Sequence, residues 1–127
     1  MMMGVIMSAS ILIVDDSISI RQSVRFVLEE NGYTVFEAGD GVEGLKRLEE
    51  QKVQLIITDV NMPNMDGLTF VKKIRQTDGI KFIPILVLTT ESQGAVVDEG
   101  KKAGATGWIV KPFNNDKLLE TIKKVLP

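Results

Sequence analysis

The chain has 127 residues, 44% hydrophobic and 25% charged, with a net charge of −2, four prolines and eleven glycines. That is the size and make-up of one folded domain with its own core, and it excludes a disordered, collagen-like or low-complexity chain. The absence of cysteine and histidine excludes disulfides, thiolate or imidazole metal sites, thiol catalysis and histidine triads, and the acidic balance argues against a nucleic-acid surface. Chemistry is left to carboxylates, lysines, hydroxyls and the backbone.

The uncharged stretch from Met1 to Val14 is too short to cross a bilayer. It also lacks the basic start and small-residue cleavage site of a signal peptide. Met-Gly-Val-Ile-Met-Ser, beginning at Met3, matches the myristoylation pattern. The plainer reading is a flexible tail over residues 1–9 that leads into a buried strand. That strand is Ile11-Leu12-Ile13-Val14, a continuous apolar run of the kind buried on both faces. Ile20, Val24, Val27 and Leu28 recur at helical spacing, and Gly32 stops that helix. Residues 33–38 are rich in β-formers, and Val42, Leu45 and Leu48 mark a second helix. Residues 54–58 form another buried run, and Leu68, Val71 and Ile74 a third helical stripe. A strand over 84–89 is opened by Pro84, where a missing N–H costs least. A softer helix covers 92–103, where Gly94 and Gly100 each cost about 1 kcal/mol relative to Ala if they fall inside it. Trp108–Lys111 is the last strand, and Leu118, Ile122 and Val125 face inward from the last helix.

Five strand–helix units without a linker predict an α/β domain, a parallel sheet covered on both faces. Ligands in such sheets bind beyond the carboxyl ends of the strands. Asp15 and Asp16 follow the first strand, Asp59 ends the third, Thr89 the fourth and Lys111 the fifth. Each alone has an ordinary explanation, as a helix cap or a turn former. Four strands delivering reactive polar groups to one edge do not. Three carboxylates and one ammonium leave an excess of negative charge that a cation would relieve. Hard oxygen ligands without His or Cys favour Mg²⁺. Carboxylates, Mg²⁺ and a lysine suit a phosphoryl group, with Thr89 able to donate a hydrogen bond and Asp59, on a central strand, the best carboxylate nucleophile.

Ile-Leu-Ile-Val-Asp-Asp (11–16), Asp-Val-Asn-Met-Pro-Asn-Met-Asp-Gly (59–67), Leu-Thr-Thr-Glu (88–91) and Gly-Trp-Ile-Val-Lys-Pro-Phe (107–113) together resemble the receiver domain of two-component response regulators, most closely its single-domain, CheY-like chemotaxis members. All four motifs occur in order over residues 10–127. The resemblance implies a doubly wound, flavodoxin-like sheet of five parallel strands with five helices. Its strand order 2-1-3-4-5, of which CheY is a standard example, comes with the resemblance and not from the periodicity. It further implies that Asp59 accepts a phosphoryl group from a sensor histidine kinase of the CheA-like kind. Asp16, Asp15 partly through water, Asp59 and the backbone carbonyl of Asn61 would hold Mg²⁺. Lys111 would pair with the phosphoryl group, ahead of a cis bond to Pro112. Thr89 would engage a phosphoryl oxygen, and Asn61 and Glu91 would tune hydrolysis of the acyl phosphate. The switch aromatic, usually Tyr or Phe, is here Trp108, whose bulk and N–H predict a less complete reorientation or a reshaped output face.

The implied role is a cytoplasmic signalling protein, not an enzyme in the usual sense, that catalyses its own phosphorylation and dephosphorylation. Its helix 4–strand 5–helix 5 face would bind a partner in trans, since the chain ends after its last helix. A flagellar motor switch is the leading partner, with neither nucleic acid nor membrane insertion involved. The alternative is a phosphorelay carrier that hands the group to a histidine phosphotransfer protein. A haloacid-dehalogenase-like phosphatase fits less well, because it needs a second Asp where this chain has Asn61, and its paired acids follow the nucleophile. A degenerate receiver used as a scaffold would have lost one of the key groups, and none is missing.

Overall fold

In the computed structural model, which describes residues 9–90 and 95–126, the apolar runs become the five strands of one parallel sheet. These are β1 (Ser10–Val14), β2 (Thr34–Ala38), β3 (Leu55–Asp59), β4 (Ile85–Thr89) and β5 (Gly107–Val110). They alternate with α1 (Ile18–Glu30), α2 (Gly41–Glu50), α3 (Gly67–Arg75), α4 (Ala95–Ala103) and α5 (Asn115–Val125). The sheet order is β2-β1-β3-β4-β5, as the resemblance implied, and β1 pairs with both β2 and β3 in parallel. No helix among the described residues is long and apolar enough to cross a membrane.

Uninterrupted apolar strands are explained by two cores, one on each face, since successive side chains of a strand point to opposite sides. Ile11, Ile13, Leu55, Ile57, Leu86 and Leu88 pack with Val24 and Leu28 of α1 and with Leu118 and Ile122 of α5. Leu12, Val14, Ile56, Ile85 and Val87 pack with Leu48 of α2, Phe70, Val71 and Ile74 of α3, and Ala103 of α4. Each fully buried Leu, Ile or Phe is worth about 1.5–3 kcal/mol. Exposed pairs such as Lys124–Glu120 at 3.7 Å contribute at most about 1 kcal/mol. The two cores therefore hold the fold.

Four helices start on side-chain caps: Ser17, Asp40, Asp66 and Asn114 each accept a backbone N–H three residues on. Such caps stabilise a helix by about 1 kcal/mol each. At the far end of the domain Arg75 ties three segments together. Its guanidinium donates to the carbonyls of Gly104 (2.9 Å), Lys81 (2.9 Å) and Ile83 (2.6 Å). Gly104, at φ +110°, leaves room for it, since a Cβ there would come within 2.8 Å of Arg75 Cγ.

Strand ends differ from the sequence expectation by one residue, for identifiable reasons. Tyr33 lies outside β2 because its N–H turns back to the Leu28 carbonyl at 3.1 Å. Gln54 precedes β3, yet its N–H already bonds the Ser10 carbonyl at 2.8 Å and its side chain receives the Ser10 N–H at 2.6 Å. Lys111 sits one residue past β5, although its N–H still reaches the Thr89 carbonyl at 2.7 Å. The expected tail over residues 1–9 and the expected start of the fourth helix at 92–94 lie outside the described residues, Ala9 apart.

Candidate functional site

The ends of β1, β3 and β5 meet in one acidic cluster. Asp15 is fully buried, and its Oδ1 accepts the Ser17 N–H at 2.9 Å. Asp59 Oδ1 accepts the Val60 N–H at 2.9 Å. Between the two carboxylates lies Lys111, whose Nζ is 3.4 Å from Asp15 Oδ2 and 3.2 Å from Asp59 Oδ1. Asp16 is exposed at the rim, and one carboxylate oxygen from each of Asp15, Asp16 and Asp59 lies within 4.8 Å of the other two. Burial pushes the Asp15 carboxyl above its ordinary value, and the nearby Asp59 charge adds to the rise. The Ser17 N–H and the Lys111 ammonium act in the opposite direction without prevailing.

The remaining predicted residues frame this cluster. Thr89 is buried as the last residue of β4, beside β5, and Lys111-Pro112 is a cis bond. Asn61 lies exposed on the β3–α3 loop, which is tied down at several points. Asn64, at φ +66°, donates its side-chain N–H to Asp40 Oδ2 at 2.7 Å, and the Gly67 N–H bonds the Val60 carbonyl at 2.8 Å. Glu91 lies outside the described residues. A cavity of about 540 Å³ opens between α1 and α5, lined by Ile20, Val24, Phe113 and Leu118 among others. It touches the cluster only through Lys111, and none of the three carboxylates lines it.

Trp108 stands opposite Val87 on β5, half-buried against the core on the α3–α4 side. The ammonium of Lys101, from α4, sits 5.2 Å from the centre of its ring. Such a cation–π contact at an exposed site is worth about 0.5–1 kcal/mol. Lys101→Met is accordingly expected to loosen the indole. Acrylamide quenching of Trp108, the only tryptophan, should rise while the melting temperature stays within about 4 °C of the parent. Unchanged quenching would mean that the lysine does not hold the ring.

Sequence reasoning missed a group of arginines behind Asp15. Arg21 donates through Nε to Glu37 Oε1 at 3.0 Å and through Nη1 to the Asp15 carbonyl at 2.6 Å. Arg25 Nη1 holds Glu37 Oε2 at 2.6 Å, and Arg47 Nε reaches the Glu37 carbonyl at 3.1 Å. Partial burial alone would raise the Glu37 carboxyl, but the bonds from Arg25 and Arg21 outweigh it and hold the group below its ordinary 4.5. A carboxyl lowered on folding stabilises the protein above its unfolded value, and that stability is lost as pH falls through the folded one. Urea midpoints should therefore drop below pH 4.5, with Glu37 accounting for part of the loss, reduced by solvent screening of its partly exposed ion pairs. Glu37→Gln should flatten that part of the decline.

The family model described as the response regulator receiver domain matches residues 11–123. The chain belongs to this family. It is 42% identical over 118 residues to the chemotaxis protein CheY1 of Helicobacter pylori, covering 91% of this chain and 95% of that protein. It is 37% identical over 116 residues to the chemotaxis protein CheY-3 of Vibrio cholerae, covering 91% and 89%. The solved structure of the chemotaxis response regulator CheY4 of Vibrio cholerae superposes with a TM-score of 0.90 at 50% identity, over 94% of this chain and 99% of that one. The chain is thus a CheY-like receiver domain, consistent with chemotaxis, and the phosphatase alternative falls away.

Proposed function

We propose that this receiver domain is a phosphorylation-controlled switch, loaded on Asp59 by a sensor histidine kinase of the CheA-like kind. The observation that supports this most is the Lys111 ammonium, placed between the Asp15 and Asp59 carboxylates at 3.4 and 3.2 Å. Both hydrogen bonds to the Asp59 carboxylate among the described residues fall on Oδ1, which leaves Oδ2 to attack phosphorus. The new O–P bond forms as the N–P bond of the donor phosphohistidine breaks, and the imidazole leaves with the electron pair. Lys111 balances the charge gathering on the phosphoryl oxygens, and Thr89 donates a hydrogen bond to one of them.

The donor set fits a magnesium ion: hard oxygens only, three carboxylates against one ammonium, and a buried Asp15 whose carboxyl is held above its ordinary value. Asp15, Asp16, Asp59 and the Asn61 carbonyl would hold it, and when bound it neutralises phosphoryl charge. Asn61 and Glu91 tune how fast water attacks the acyl phosphate, so the domain also removes its own phosphoryl group. Once Thr89 is engaged, Trp108 moves and the α4–β5–α5 face changes shape for a partner such as a flagellar motor switch protein in the cytoplasm.

The test is intact mass after incubation with acetyl phosphate and Mg²⁺, with Trp108 fluorescence followed in the same sample. One phosphoryl adduct, lost when a chelator is added, together with a fluorescence change, is the expected result. No adduct under any condition overturns the proposal. An adduct with unchanged fluorescence overturns the part assigned to Trp108.

A further inference from the structure

We infer that Arg21 is a positioning residue for the metal-binding acid pair, acting through the Asp15 carbonyl and held in place by Glu37 on β2. The inference rests on the proposed magnesium site. The peptide joining Asp15 to Asp16 governs where both carboxylates stand. Its neighbour on the β1 side is fixed by the ladder, for the Asp15 N–H bonds the Ala38 carbonyl at 3.1 Å. The Asp15 carbonyl itself is at the strand's end, and the ladder leaves it to be met by a side chain. Arg21 Nη1 meets it at 2.6 Å from the first turns of α1.

A long side chain does this reliably only if its other end is anchored. Arg21 is mostly buried, with 18% of its side chain exposed, and its Nε is held by Glu37 Oε1 at 3.0 Å. Glu37 is held in turn by Arg25, and its own carbonyl by Arg47. The carboxylate also balances the guanidinium charge, which would otherwise oppose a cation beside Asp15 and Asp16. Supporting residues of this kind typically change metal affinity by about 10–100-fold when removed.

The sign of one substitution separates positioning from charge. Arg21→Gln removes a positive charge near a cation site, so if Arg21 acts only through charge, Mg²⁺ binds more tightly. If it positions the acid pair, Mg²⁺ binds more weakly, by about tenfold. Arg25→Gln removes the same charge and the other partner of Glu37 but touches no part of Asp15, and should leave the affinity within about twofold, short of the tenfold positioning loss. Arg21→Lys keeps the charge and loses the two-pronged reach, so any weakening in it is geometric, and it carries the test should Arg21→Gln fail to fold. Affinity is read by calorimetric titration with Mg²⁺ alone at fixed ionic strength, with urea midpoints taken in chelator to separate stability from binding. Weaker binding in both Arg21 variants with Arg25→Gln unaffected supports the inference. Unchanged or tighter binding in the Arg21 variants overturns it, as does equal weakening in Arg25→Gln. A parent protein that binds no Mg²⁺, or binds it equally well as Asp16→Asn, overturns the site reading itself and the inference with it.

Discussion

Asp59→Asn is expected to fold, to melt close to the parent, and to gain no phosphoryl adduct from acetyl phosphate and Mg²⁺. An amide oxygen can still accept the Val60 N–H that Asp59 Oδ1 accepts at 2.9 Å, so the end of β3 keeps its local geometry. It cannot serve as the anionic nucleophile that an acyl phosphate requires. Stability should stay within about 1 kcal/mol of the parent, because two effects oppose each other. Lys111 loses one of its two carboxylate partners, while Asp15 loses a neighbouring charge that raises its carboxyl. The alternative acceptors are poorly placed: Asp15 is fully buried with both oxygens already bonded, and Asp16 stands at the exposed rim without the lysine contact. Intact mass of parent and variant, side by side, decides the matter. An adduct of equal yield in Asp59→Asn would move the acceptor to another carboxylate and overturn the assignment.

What made the site legible was its place on the fold, and what hid its support was chemistry that looks ordinary in one dimension. Continuous apolar runs at 11–14, 55–57 and 85–88 announce strands buried on both faces, and in a parallel sheet all of them end at one edge. Asp15, Asp59, Thr89 and Lys111 could therefore be placed together without coordinates. The contact of Lys111 Nζ with two carboxylates follows from that placement. Glu37 gave no such sign, because a charged residue on an edge strand reads as a solvent-facing position. Arg21 and Arg25, one turn apart on α1, read as the polar side of an amphipathic helix. Only the register Ile13↔Glu37 and the packing of α1 beside β2 bring them to one carboxylate. Trp108 stood out as a departure in residue type, but its partner Lys101 did not, since the pairing joins α4 to β5 across the surface. Pairings between elements distant in the chain depend on how helices lie on the sheet, and residue spacing does not encode that.

Gly67→Ala is expected to destabilise the domain by about 3 kcal/mol or more and to disable the site with it. Gly67 opens α3, and a Cβ added there would land inside contact distance of the Asp59 carbonyl oxygen, with Val60 Cα at 2.9 Å and the Asp59 carbonyl carbon at 3.0 Å. All three are backbone atoms at the end of β3, one residue from or within the proposed phosphoacceptor, so no rotamer change can relieve them. Either α3 retreats or the Asp59 peptide shifts. The first breaks the Gly67–Val60 hydrogen bond at 2.8 Å and lifts Phe70, Val71 and Ile74 from the core; the second moves the nucleophile. Gly41→Ala is the informative contrast. Its Cβ would meet the Met65 side chain, with Sδ at 2.8 Å, and a methionine can swing away, so the cost there should be about 1 kcal/mol. Gly67 has the closer nearest contact of the two, the Asp59 carbonyl oxygen, and what each glycine faces widens the difference: backbone in one case, a flexible thioether in the other. Urea midpoints of the two variants, with phosphoryl capture measured on whatever fraction stays folded, test this. A Gly67→Ala protein as stable as Gly41→Ala would show that α3 docks on β3 with slack, and that the close approach at Asp59 is not what places the acceptor.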